Sequence, residues 1–162
     1  MQAAFQTYLA AAQATVEWLG ANMQVSEVTL GELGLPPTAG GFTKAPLDYL
    51  GDTMRGTRGI MLDMFRQPGK LLAALDRLVP SAIHMAVANA NANQNPLILI
   101  PLHKGADGFM SNADFEKFYW PSFKALLMGL IEEGVIPLMF VEGGYNHRLD
   151  IIANAGLPAG RT

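Results

Sequence analysis

The chain has 162 residues, 50% apolar and 15% charged, with no cysteine and a formal net charge of −3. That length suits one domain, and so apolar a chain is not intrinsically disordered. The mild acidity leaves no electrostatic footprint for nucleic acid, and the missing thiols exclude disulfides, thiolate catalysis and cysteine-ligated zinc or iron–sulfur centres.

Phe5, Leu9, Ala12, Val16, Leu19 and Met23 recur at alternating steps of four and three, the stripe of one long helix. Its other faces carry Gln, Ala and Thr rather than charge, which predicts contact with protein on more than one side. Gly31, Gly34, Gly40 and Gly41 with Pro36-Pro37 then break helix and strand alike and predict a loop. The first basic residue is Lys44, so the N-terminal stretch has neither the basic n-region of a signal peptide nor an arginine-rich transit helix.

A second helix is expected over 50–66, with Met54, Ile60, Met61, Met64 and Phe65 as its apolar members. Pro68 suits the first turn of a third helix, carrying Leu71, Leu72, Leu75, Leu78 and Val79, which Pro80 should kink or split. Asp76 and Arg77 interrupt its apolar run, and no uninterrupted run elsewhere is long enough to span about 30 Å of hydrocarbon. A soluble, cytoplasmic protein without membrane contact is the expectation. His84 reads as a packing residue of this helix. The Asn/Ala alternation of 89–95 closes a mainly helical segment, 1–95.

From Pro96 the pattern changes to a βαβα portion, 96–162. Leu97-Ile98-Leu99-Ile100 is an unbroken apolar run, as in a strand buried on both faces. Ser111-Asn112-Ala113-Asp114 is a capping box opening a helix whose wide apolar face holds Phe115, Phe118, Tyr119, Phe123, Leu126, Leu127, Leu130 and Ile131. Gly134 ends it, 135–141 is a second buried strand, and 145–155 is another helix. Strand, helix, strand and helix joined by short connections predict parallel neighbours in an α/β fold. Two such strands leave open apolar edges, so the chain is expected to associate with itself or with a complementary segment.

In parallel α/β folds, ligands lie beyond the carboxyl ends of the strands. Two segments stand there: His103-Lys104-Gly105-Ala106-Asp107-Gly108 and Glu142-Gly143-Gly144-Tyr145-Asn146-His147-Arg148. Glu142 is a candidate general base or metal ligand, or the salt-bridge partner of Lys104. Lys104 is a candidate for holding a substrate carboxylate, or an ordinary surface lysine. His103 and His147 lack metal-ligand spacing, and no phosphate-binding glycine motif occurs.

These residues also carry a resemblance. The segment Pro101-Leu102-His103-Lys104-Gly105-Ala106-Asp107-Gly108-Phe109-Met110-Ser111, then Asp114-Phe115-Glu116-Lys117-Phe118-Tyr119-Trp120-Pro121, resembles the uroporphyrinogen decarboxylase family. So does Ala45-Pro46-Leu47-Asp48-Tyr49-Leu50 through Arg66-Gln67-Pro68. The resemblance implies a (β/α)8 TIM barrel, which runs to about 250 residues, of which this chain supplies a middle part that is inactive alone. It implies a lyase: decarboxylation of a tetrapyrrole or related carboxylate without metal or organic cofactor.

By the same resemblance Tyr49 stands at an active-site tyrosine, while Gly105 replaces a substrate-contacting serine. Tyr49 and Glu142 are then the candidate catalytic residues. His103, Lys104, Asp107, Asn146 and Arg148 are the candidate substrate-binding residues, with Lys104 and Arg148 facing carboxylates. The sister group of cobalamin-dependent methyltransferases, which use zinc, is the alternative, but its histidine–x–cysteine motif reads Phe140 and Glu142 here. The last alternative is a non-catalytic, self-associating segment.

Overall fold

The computed structural model describes residues 2–158, and positions 1 and 159–162 fall outside the description. The chain divides into two compact units, 1–38 and 39–162. The first is the long helix expected from the apolar stripe, α1 (Gln2–Glu27), ending in one π-helical turn, Val28–Glu32. No residue of α1 is buried.

The second unit is α/β. Its sheet has three parallel strands in the order β1 (Gly41–Phe42), β2 (Leu97–Leu102) and β3 (Ile136–Val141). β2 and β3 are the two apolar runs, paired in register from Leu97 with Ile136 to Leu102 with Val141. β1 lies where the glycine-rich stretch reads as loop. Its start presses against the end of the following helix bundle: a Cβ on Gly40 would lie 2.0 Å from the Asn95 carbonyl oxygen, and Gly40 N–H donates to Leu97 O at 2.7 Å. Only a residue without a side chain can approach so closely.

The carbonyls of Leu97 and Leu99 point to β1, accepting from Gly40 and Thr43, whereas Leu102 accepts from Glu142 on the β3 side. Backbone groups of a parallel strand alternate between neighbours. The Pro101 nitrogen therefore faces the β1 side beyond the last β1 rung. Ile136 and Glu142 donate to the β2 side, so the Pro137 nitrogen faces the outer edge of β3.

Between β1 and β2 stand α2 (Pro46–Tyr49), continued by a π-helical turn (Leu50–Met54), then α3 (Thr57–Arg66) and α4 (Pro68–Ala92). The single helix expected over 50–66 is thus two pieces, because Gly56 at φ 75° turns the chain between them. Arg55 closes the corner with a two-pronged pair to Asp63 (2.7 and 3.1 Å), which also accepts from Gln67.

α4 is continuous through Pro80. Pro80 and Asp76 lie on the exposed side, where a carbonyl deprived of its donor is open to water. The helix buries Leu71, Leu75, Val79, Ala82, Ala86 and Ala90 and packs against α6 (Trp120–Glu132). Among the described residues α4 is the one helix long and apolar enough to cross a membrane by length and composition, yet this stripe belongs to the core. His84 is exposed on its outer side rather than packed.

Ser111 caps Asn112–Asp114 (α5) as its motif predicts, accepting from the Asp114 N–H at 3.1 Å. A π-helical turn, Phe115–Tyr119, leads into α6. Phe115 stacks on Tyr119 and Trp120, with Phe123 edge-on to both. After β3, the helix expected over 145–155 is a 3-10 turn (Asn146–Arg148) and a short α7 (Leu149–Ala153). Ile98, Ile100 and Leu102 are fully buried in the core with the α4 and α6 stripes. The other face carries Phe42, Leu99 and Leu138 side by side, with Phe42 and Leu138 exposed.

Candidate active site at the strand ends

Because the strands are parallel, their carboxyl ends lie on one side, and each delivers ionisable groups there: Lys44 after β1, His103-Lys104 after β2 and Glu142 after β3. The chain leaving β1 enters α2 at once, with Pro46 in its first turn. Asp48 and Asp52, four residues apart, therefore share one helical face, turned toward the end of β2.

Asp52 is the hub. Its Oδ2 accepts from Lys44 Nζ at 2.9 Å and lies 2.7 Å from His103 Nδ1, while its Oδ1 is bound by Lys104 Nζ. The other ring nitrogen of His103, Nε2, lies 3.2 Å from Glu142 Oε2. Partial burial pushes the Asp52 carboxyl up, but the hydrogen bonds from Lys104, Lys44 and His103 outweigh it and hold the group well below the usual carboxylate range. Gly51 makes room for this: a Cβ there would sit 2.7 Å from Lys104 Cε.

Asp48 is fully buried. It accepts from the backbone N–H groups of His103 (3.1 Å) and Lys104 (2.7 Å) and from the Tyr119 hydroxyl (2.6 Å). Burial raises its carboxyl above 3.8 despite these three donors. It fixes the backbone of the two residues whose side chains meet Asp52.

The second loop pair is tied by Arg148. This side chain is 1% exposed and donates to Gly105 O (3.1 Å), Met110 O (2.6 Å) and Asn112 Oδ1, with its guanidinium 4.7 Å above the Phe115 ring. Asp107 lies 3.6 Å away and also accepts from the His147 N–H. Asp107 N–H donates to Gly144 O at 2.8 Å, so the two loops lie side by side as expected. Asn146 and His147 are exposed at the rim, and Tyr145 is buried.

The structure therefore brings His103, Lys104 and Glu142 together, but in a different pairing. Glu142 meets His103, not Lys104, because Lys104 is buried and directed at Asp52. Arg148 is turned inward onto protein acceptors instead of outward. Tyr49 is half-buried and lines a cleft beside the cluster. Two adjoining cavities, about 260 and 420 Å³, share Lys44, Tyr49 and Met85. Leu78, Ala82 and Met54 supply apolar wall, and Thr43, Thr53 and Asn89 supply polar groups. Among the described residues no set of three His, Asp or Glu side chains is arranged to hold a metal ion.

Lys44, Asp48, Asp52 and Tyr119 are the members that sequence reasoning misses. The available signal is the pair of aspartates one helical turn apart in an otherwise apolar helix, immediately after a strand.

A family model described as uroporphyrinogen decarboxylase (URO-D) matches residues 11–160. The chain belongs to the uroporphyrinogen decarboxylase family. No curated protein and no solved structure gives a significant match. Within this family member, the segments that carry the resemblance at 45–68 and 101–111 include the residues of the Asp48–Asp52–His103–Lys104 cluster.

Proposed function

We propose that this family member forms part of a (β/α)8 barrel that decarboxylates a tetrapyrrole or smaller carboxylate substrate at the carboxyl ends of its strands. The observation that carries the reading is the convergence of Lys44, Asp52, His103, Lys104 and Glu142 from three successive parallel strand ends. The barrel is supported by the two faces of the sheet. Helices cover the face of Ile98, Ile100 and Leu102, whereas the face of Phe42, Leu99 and Leu138 is open, as on the inside of a barrel segment.

In this reading the cleft takes the body of the substrate, with its apolar wall and with Lys44 and Tyr49 beside a substrate carboxylate. Lys104 and Lys44 together keep Asp52 ionised. Glu142 stands on the solvent side for proton exchange, and Asn146 at the rim orients a polar group. Incubation of the complete barrel that contains this chain with uroporphyrinogen, with carbon dioxide release and less carboxylated products as readout, tests the reading. Turnover that falls about tenfold or more in Glu142→Gln and in Tyr49→Phe is expected. No turnover by the unaltered complete barrel, or unchanged turnover when Lys104→Ala is combined with Glu142→Ala, would remove it.

A further inference from the structure

His103 occupies a position that the strand-end geometry singles out. Both its ring nitrogens face carboxylate oxygens, Nδ1 toward Asp52 at 2.7 Å and Nε2 toward Glu142 at 3.2 Å. The two carboxylates differ in kind. Asp52 is pinned by Lys44 and Lys104 and its side chain is 21% exposed, whereas the Glu142 side chain is 49% exposed, with His103 as its one ionic partner among the described residues. One side of the imidazole thus meets a carboxylate held by two lysines, and the other meets a half-exposed one. The ring is held besides by its own backbone, whose N–H donates to the buried Asp48.

We infer that His103 is the proton donor of this site, aligned by Asp52 as a positioning residue and covered at Nε2 by Glu142 until substrate displaces it. The inference rests on the decarboxylation reading above and assigns its proton. In the step, the carbon–carboxylate bond breaks and carbon dioxide leaves. The electron pair stays on carbon and takes the proton from Nε2 of the imidazolium, leaving a neutral ring. The carbon gains one hydrogen in place of the carboxylate, and charge balances because one anion and one cation are consumed. The ring is reprotonated from solvent, through Glu142 on its return.

This division of labour follows from hydrogen-bond inventory. An imidazole ring facing two carboxylates satisfies both only when it carries both protons, and histidine is the side chain suited to exchange one near neutral pH. Asp52 fixes which nitrogen keeps its proton, so Nε2 is the one that gives. Among the described residues, Asp52 and Glu142 contact the ring, Lys44 and Lys104 stand behind Asp52, and Asp48 holds the backbone side.

The test uses the complete barrel that contains this chain. With uroporphyrinogen as substrate, His103→Ala should lower kcat by about a hundredfold or more, with KM changed much less, and added imidazole should restore a measurable part of it. His103 is 29% exposed, so the vacated space is reachable from solvent. Turnover within about threefold of the unaltered protein would overturn the inference, as would a loss in folded His103→Ala and His103→Gln that imidazole does not relieve. A second measurement needs no substrate: a low-field Nδ1 proton resonance from His103, abolished by Asp52→Asn and retained in Glu142→Gln. Absence of that resonance in the unaltered protein overturns the alignment. If the resonance is present and uroporphyrinogen is not consumed, the decarboxylation reading fails while the aligned histidine stands, so the two failures are separable.

Discussion

The Tyr119 hydroxyl donates to the Asp48 carboxylate at 2.6 Å, across 71 residues of sequence and with both side chains buried. This contact joins the first turn after β1 to the aromatic helix that follows β2. Burial keeps the Tyr119 phenol protonated, well above its usual range, so the hydroxyl is the donor.

Replacing Tyr119 by phenylalanine leaves Asp48 with the two backbone amides alone. An acceptor stripped of one partner in the interior costs about 1–3 kcal/mol, which urea unfolding should register. The folded-state pKa of Asp48 lies above its unfolded value of 3.8, so its contribution is greatest below 3.8 and is lost as pH rises through the folded value. Without the hydroxyl that value moves further up. The Tyr119→Phe penalty should therefore be larger near about pH 7 than near about pH 3. An equal penalty at both would mean that the hydroxyl does not serve the ionised form.

Asp52 has the opposite sign. Its folded-state pKa lies below the unfolded 3.8, so its stabilisation is present above 3.8 and disappears as pH falls toward the lower folded value. Asp52→Asn should lower stability at neutral pH and flatten the acid limb of the stability profile below about pH 4. Urea midpoints measured across that range decide it; parallel profiles for variant and parent would contradict the hub role.

Arg148 should behave as a structural clamp. Arg148→Met leaves Asp107 without its guanidinium and the Gly105 and Met110 carbonyls without their donors. Breaking a buried pair from one side costs roughly 3–5 kcal/mol. The exposed neighbour Asn146, changed to Ala, should move stability by less than about 0.5 kcal/mol. A folded, equally stable Arg148→Met protein with weakened substrate binding would instead return Arg148 to the substrate.

Gly105 stands where the family resemblance places a serine, and the structure explains the change. A Cβ there would lie 2.8 Å from the Tyr119 ring and 2.8 Å from the Tyr145 hydroxyl, both buried groups. Gly105→Ser should destabilise by about 1–3 kcal/mol through overpacking. Thermal unfolding checks this, and Tyr145→Phe combined with Gly105→Ser should recover part of the loss.

What could be read in advance depended on whether the information was local. β2 and β3 are continuous apolar runs bounded by prolines and glycine, and Ser111 with Asp114 announces the helix it caps. β1 is two residues long and exists because Gly40 passes close to Asn95, 55 positions later, which no window of sequence contains. The cluster divides in the same way. His103, Lys104 and Glu142 are visible as polar residues ending apolar strands. Asp48 and Asp52 draw their meaning from groups more than fifty residues away. Even the misplaced pairing of Lys104 has a physical cause, since Gly51 opens a path for that side chain to Asp52.

Pro137 carries a consequence for the free edge of β3. Its nitrogen points outward and holds no hydrogen, so a strand arriving from outside finds one rung of the ladder absent. The incoming chain must set its acceptors against the rungs on either side of that gap, which restricts the registers open to it. Indefinite stacking of identical sheets would repeat the missing rung in every layer. The edge is thereby selective: receptive to a strand shaped for it, and a poor template for polymerisation.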